Sequence, residues 1–209
     1  MEELRQAELF DEAPPLPHGL VYRPEYITRA EESELLAEIA PLPFREARFQ
    51  EYFARRRVVH FHPSGDDVAY DAHDDDTVSG GPLPPFLDAL LKRLAGWLAI
   101  DPAHFVHALV SEYRPGTPIG WHRDKPAYGI VVGLSLAGRG RMRFRPLDAG
   151  ERQRGMVLLE LEPRSVYVMR GPIRWQWQHS MLPTRELRYS ITFRTRAGGG
   201  DGGDSAIRT

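Results

Sequence analysis

The chain has 209 residues, room for one domain with a well-buried core, and its 42% hydrophobic and 27% charged residues exclude a disordered chain or a fibre. With 27 basic against 29 acidic residues the net charge is −2, so bulk electrostatics cannot hold nucleic acid and any such contact needs a local patch. Cysteine is absent, which excludes disulfides, thiolate metal sites and a cysteine nucleophile and suits a reducing, cytoplasmic setting.

In chain order, residues 1–17 end in Pro14, Pro15 and Pro17 and are expected to form a flexible tail without a signal-peptide core. Thr28 and Glu31 are spaced for a reciprocal capping box, ahead of a helix with Leu35, Leu36 and Ile39 on one face. The stretch from about 50 to 82 carries scattered aromatics, Arg55–Arg56–Arg57 and HDDD, and reads as hairpin and loop. A second helix is expected from about Pro85 to Leu98, with Phe86, Leu90, Leu94 and Leu98 at helical spacing. From about His107 the period becomes that of strands, in HALVSEY, GIVVGLSL, RMRFR, MVLLELE, SVYVMRG and RYSITFR. From Ala197 the chain is glycine-rich and expected to be disordered, which leaves a single domain over 18–196. No apolar run approaches the roughly 20 residues of a membrane span. Helices followed by many short strands predict a mainly β fold with flanking helices, a sandwich or jelly roll.

His122 and Asp124 are two apart, so on a strand they project from one face while Trp121 and Arg123 point away. With His179 they make two imidazoles and one carboxylate, the set that holds non-haem Fe(II) on one face and leaves other positions open. A surface turn with a hydrogen-bonded core histidine fits the same residues. In RYSITFR, Arg188, Ser190, Thr192 and Arg194 share one face, and Tyr189, Ile191 and Phe193 the other. Burying two guanidinium groups without acids is costly, so either an anionic ligand meets them or the strand is exposed. Strand positions six apart lie about 20 Å apart, and a dicarboxylate charged at each end would suit such a pair.

Together, EYRPGTPIGWHRD, RGPIRWQWQHS and RYSITFR resemble the AlkB family of iron(II)- and 2-oxoglutarate-dependent dioxygenases over roughly residues 107–196. The resemblance implies a double-stranded β-helix, that is, a jelly roll with supporting helices. It implies Fe(II), 2-oxoglutarate and O2 as cofactor and cosubstrates, with His122, Asp124 and His179 as iron ligands. Arg188, helped by Tyr113, would pair with the distal carboxylate of 2-oxoglutarate, and Arg194 would lie nearer its iron-chelating end. Ser190 and Ser111 stand where many members have asparagine, with Ser190 still at the cosubstrate. The implied reaction oxidises 2-oxoglutarate to succinate and CO2 while hydroxylating a C–H bond; an N-methyl group would leave as formaldehyde.

The implied substrate is alkylated DNA or RNA, with a methylated protein or small molecule, or a non-catalytic jelly-roll binding module, as alternatives. Base-repairing relatives often carry a carboxylate two residues after the metal aspartate, where this chain has Pro126. Tyr52, Phe53, Arg55, Arg56, Arg57, Phe61 and Tyr70 interleave aromatic and basic groups, as a lid over a flipped base would, or as an ordinary hairpin would. Arg139, Arg141, Arg143 and Arg145 alternate with Met142 and Phe144, which suits a phosphate-tracking face or an edge strand. The acidic run from Asp66 to Asp76 would repel phosphate if it faced the cleft. Gln6–Phe10 resembles the short peptides by which bacterial repair and replication proteins dock on a sliding clamp. Trp175 and Trp177 would share a strand face before His179; the remaining histidines, His60, His62 and His107 among them, show no metal-binding pattern. Oligomeric state has no signal in the sequence.

Overall fold

The computed structural model describes residues 16–49, 52–63, 81–148 and 155–198; the clamp-like peptide, the acidic run and the glycine-rich end from 199 lie outside them. The expected capping box opens the first helix, α1 (Arg29–Ile39): Thr28 N–H donates to the Glu31 carboxylate at 2.7 Å, and Glu31 N–H to the Thr28 hydroxyl at 3.2 Å. The second helix, α2 (Pro85–Leu98), has proline at its start, where no N–H is missed, and stops where Ala99 takes a left-handed conformation at φ 55°. Its Leu87, Leu90, Leu91, Leu94 and Leu98 are buried, whereas Phe86 is only partly covered.

Eleven strands among the described residues form two antiparallel sheets. They are β1 (Leu20–Arg23), β2 (Arg45–Phe49), β3 (Tyr52–Phe61), β4 (Phe105–Tyr113), β5 (Ile119–His122), β6 (Tyr128–Ala137), β7 (Gly140–Pro146), β8 (Val157–Leu161), β9 (Val166–Met169), β10 (Trp177–Met181) and β11 (Arg188–Arg196). The larger sheet runs β1-β9-β6-β11-β4-β3-β2 and the smaller β5-β10-β7-β8. This is the expected mainly β jelly roll, and no helix among the described residues is long and apolar enough to cross a membrane.

Strand alternation sorts the larger sheet into two faces. Val59, Val110, Val132, Ile191 and Phe193 point outward and form one core with α1 and α2. On the inner face Val131, Tyr167 and Met169 join Met142, Phe144 and Leu161 of the smaller sheet in a second core. The helices therefore seal one side, and between the sheets the second core shares the space with the polar groups that line a cavity.

Two expectations change. The segment read as a strand with Trp175 and Trp177 on one face begins instead with a helical turn, α3 (Pro172–Trp175), and β10 starts only at Trp177. Gly171, with φ at 55°, followed by proline gives the chain a helix start that its β-prone tryptophans conceal. And β7 is not an edge: it lies between β10 and β8, with Arg139 outside it, paired to Glu162 at 2.8 Å.

Candidate active site

The inner face of the larger sheet is laid out in rows by its register. Tyr113 of β4 is the register partner of Arg56 on β3 and of Arg188 on β11, so the three form one row with Tyr113 in the middle. Val58, Ser111 and Ser190 form the next row, and His107 with Arg194 lies four strand positions further along. A cavity between the sheets runs past Arg56, Tyr113, Arg188, Ser111, Ser190 and Arg194 to His122, Asp124 and His179 on the smaller sheet's side. Arg188 and Arg194 thus face the same cavity from opposite ends, as the sequence suggested.

At one end, β5 and β10 pair so that His122 sits directly opposite His179, with ring centroids 4.2 Å apart. Asp124 follows β5, and its Oδ2 lies 3.6 Å from His179 Nε2. Arg194 donates to the other oxygen, Oδ1, from Nε at 3.0 Å and Nη2 at 2.8 Å, while buried Oδ2 has no hydrogen-bond partner. The loop after Asp124 is fixed by buried Arg174, which donates to the carbonyls of Lys125 and Tyr128 at 2.6 and 2.7 Å. His122 Nδ1 lies 2.9 Å from the Gly120 carbonyl, an acceptor only, so the proton sits on Nδ1 and Nε2 keeps its lone pair.

Burial, then the neighbouring His122, holds His179 down to about 3; burial also lowers His122. Burial opposes ionisation of Asp124, but Arg194 and the two imidazoles outweigh it and keep the carboxyl well below the usual range. Two neutral imidazoles and an anionic oxygen without a partner are the donor set that a divalent transition metal needs. Among the described residues no group of three His, Asp or Glu side chains, this trio included, converges closely enough to hold an ion. The donors fit Fe(II) by chemistry and by the unsatisfied Oδ2.

The other end is built for an anion. Arg188 is 1% exposed, donates from Nε to the Ser135 hydroxyl at 3.0 Å, and has its guanidinium carbon 4.8 Å from the centre of the Tyr113 ring. Its Nη1 is buried without a hydrogen-bond partner, and among the described residues no acid pairs with it. Ser190 and Arg56 lie beside the Tyr113 hydroxyl. Burial favours the neutral phenol, yet the charges of Arg56 and Arg188 outweigh it and bring Tyr113 down to about 8. A carboxylate bound here should lose affinity as pH rises through about 8, because Tyr113 then turns anionic beside it. Calorimetric titration of 2-oxoglutarate on either side of that pH tests this. Tyr113→Phe should flatten the profile, and a flat profile in the unaltered chain would refute the effect.

The structure brings all seven expected site residues to one cavity or its wall: Tyr113, His122, Asp124, His179, Arg188, Ser190 and Arg194. Arg194, expected at the cosubstrate, has its guanidinium engaged by Asp124 and, at 3.2 Å from Nη1, by His107 Nδ1. Arg56, read from the sequence as part of a substrate lid or of an ordinary hairpin, lines the cavity. Its neighbour Arg57 points out to the other face and pairs with Glu112 at 3.0 Å. The side chains of Tyr52, Phe53 and Arg55, and all of Tyr70, lie outside the described set.

Three histidines given no role from sequence come together behind Arg194: His60 Nδ1 is 2.9 Å from His107 Nε2, and His62 stacks near His107 with centroids 5.7 Å apart. Arg194 can only donate, so His107 carries its proton on Nε2 and passes a hydrogen bond to His60. Only the pairing of β3 with β4 shows this cluster; neither strand alone carries a sign of it. Neither Trp175 nor Trp177 walls the cavity, and Trp177 packs against the inner core.

The family model of the 2OG-Fe(II) oxygenase superfamily matches residues 19–194. The "Alkylated DNA repair protein ALKBH8 homolog" of Arabidopsis thaliana is 29% identical over 181 residues, covering 77% of this chain and 50% of that protein. The "tRNA (carboxymethyluridine(34)-5-O)-methyltransferase ALKBH8" of Mus musculus is 28% identical over 177 residues, 81% of this chain and 25% of that protein. The chain therefore spans half or less of the length of these two relatives. The solved structure of OsALKBH1 superposes with a TM-score of 0.64 at 15% identity, covering 87% of this chain and all of that one, a likeness of fold. Fold, donor set and family match agree: the chain belongs to the 2OG-Fe(II) oxygenase superfamily as an AlkB-like member, and with that membership goes dioxygenase chemistry dependent on Fe(II), 2-oxoglutarate and O2.

Proposed function

We propose that the chain is an oxidative N-dealkylase of nucleic acid, with His122, Asp124 and His179 as the Fe(II) ligands and Arg188, Tyr113 and Ser190 as holders of 2-oxoglutarate. One observation carries the reading of the site. A single cavity has a buried polar atom without a protein partner at each end, Asp124 Oδ2 and Arg188 Nη1. An acceptor at one end and a donor at the other match a cation and a carboxylate in turn. Bound Fe(II) would supply O2 activation coupled to decarboxylation of 2-oxoglutarate to succinate and CO2.

The chain's own residues do the positioning. Arg194 occupies Asp124 Oδ1 and so presents Oδ2 alone. The Gly120 carbonyl keeps His122 Nε2 free of its proton. Arg188, fixed by Ser135 and the Tyr113 ring, anchors the distal carboxylate. In balance, an N–CH3 group, O2 and 2-oxoglutarate give N–CH2OH, succinate and CO2, and N–CH2OH releases formaldehyde to leave N–H.

The substrate class is supported from outside the cavity. On the outer face of the smaller sheet, Arg143 and Arg145 stack over Trp121, with guanidinium carbons 4.8 and 4.3 Å from the ring centre. Ser180 and Gln178 take their Nε donors, leaving the remaining guanidinium donors available to phosphate. Both curated relatives carry names that speak of DNA or tRNA. Pro126 is exposed and brings no side-chain hydrogen bond, so base reading falls to other groups.

The test offers Fe(II)-loaded protein, 2-oxoglutarate and O2 to oligonucleotides carrying 1-methyladenine or 3-methylcytosine, and follows methyl loss by mass spectrometry with succinate in the same tube. Coupled methyl loss and succinate are expected. Succinate without methyl loss would overturn the substrate class and direct the search to methylated proteins and small molecules.

A further inference from the structure

We propose that Arg56 is a second arginine for the distal carboxylate of 2-oxoglutarate, meeting it from the side opposite Arg188. The inference rests on the cosubstrate end of the cavity proposed above, and adds a residue to it that belongs to a different strand.

Arg56 and Arg188 flank Tyr113 on its two sides: Tyr113 of β4 is the register partner of Arg56 on β3 and of Arg188 on β11. Neighbouring strands are about 4.8 Å apart, so the two arginine backbones stand about 10 Å from each other with their side chains on one face. Both line the same cavity. Each has a buried nitrogen without a hydrogen-bond partner, Nε of Arg56 and Nη1 of Arg188. Among the described residues neither is paired with an acid; the cavity's one carboxylate, Asp124, is engaged by Arg194.

Two guanidinium groups converging on one end of a cavity repel each other, and each leaves a donor unmade, which is costly in a buried place. One ligand cures both defects. A carboxylate has about four lone-pair sites, enough for Arg188 Nη1, Arg56 Nε and the Tyr113 hydroxyl together. A neutral ligand end would leave two positive charges facing each other, so the pair also selects for a charged terminus on the oxo acid. Arg57, adjacent in the sequence, cannot substitute, since it points to the opposite face and is bound to Glu112.

The test is calorimetric and uses the whole chain loaded with Mn(II) in place of Fe(II), so that no turnover occurs. 2-Oxoglutarate is compared with 2-oxopentanoate, which has the same chelating head and a methyl group in place of the distal carboxylate. Arg56→Ala should weaken 2-oxoglutarate about 10- to 100-fold, the scale of a lost charged hydrogen bond, and leave 2-oxopentanoate unchanged. Arg56→Lys should recover part of the loss, because it restores charge without the fork. Equal weakening of both acids would mean that Arg56 only shapes the cavity, and unchanged binding of both would mean that it does not meet the ligand; either overturns the proposal. If the unaltered chain itself fails to prefer 2-oxoglutarate over 2-oxopentanoate, the cosubstrate reading fails, not the choice of arginine.

Discussion

Asp124→Ala should lose bound iron and turnover together and also destabilise the fold, whereas His122→Ala should lose iron and turnover at little cost in stability. The difference follows from what each side chain leaves behind. Asp124 and Arg194 are a buried pair, with side chains 7% and 12% exposed. Removing the carboxylate strands the guanidinium, and breaking such a pair costs about 3–5 kcal/mol. His122 is only half-buried, and its one hydrogen bond goes to a carbonyl two residues away. Metal content by mass spectrometry and thermal denaturation of the metal-free proteins separate the two effects. Full iron occupancy in either variant would remove that residue from the ligand set, and equal stability losses would mean that Arg194 finds another partner.

Arg188→Met is expected to move affinity and stability in opposite directions. Without ligand, Arg188 is a fully buried cation that has a hydroxyl and an aromatic face for company and, among the described residues, no acid. Replacing it with an apolar chain of similar length removes that burden, so the ligand-free protein should melt higher. The same change takes away the charged hydrogen bonds to the distal carboxylate, and 2-oxoglutarate should bind at least about 100-fold more weakly with metal binding unchanged. Gly140→Ala offers an independent check. A Cβ there would stand 2.7 Å from Arg188 Nε and 3.2 Å from its guanidinium carbon, so Arg188 must shift and affinity should fall without any change of charge. A lower melting temperature in Arg188→Met, or undiminished affinity, would contradict the account.

What could be read from the sequence was what local rules control. The capping box at Thr28 and Glu31 and the span of α2 follow from short-range spacing, and both appear as expected. The face shared by Arg188, Ser190 and Arg194 needs only the two-residue period of a strand, and all three line the cavity. What escaped depends on which strand lies beside which. Arg56 looked like one basic residue among several until β3 was found paired to β4, with Arg56 set against Tyr113. The cluster of His60, His62 and His107 is likewise made by that pairing. In the segment before β10, a Gly-Pro start outweighed the strand preference of two tryptophans, and α3 formed where a strand was expected.

The strand β5 has four residues, occupies the edge of the smaller sheet, and is hydrogen-bonded to β10 alone through a register that slips between His179 and Met181. Such an edge opens locally at far less cost than the rest of the sheet. With the metal held as proposed, one ion would fasten His122 on this strand to His179 on its neighbour, across the weakest stretch of the ladder. The free energy of opening there would then rise with metal activity as RT ln(1 + [M]/Kd). Amide exchange and proteolytic nicking around residues 119–124 would follow the iron supply of the surroundings, so the sheet edge would act as a gauge of loading well before global stability changed.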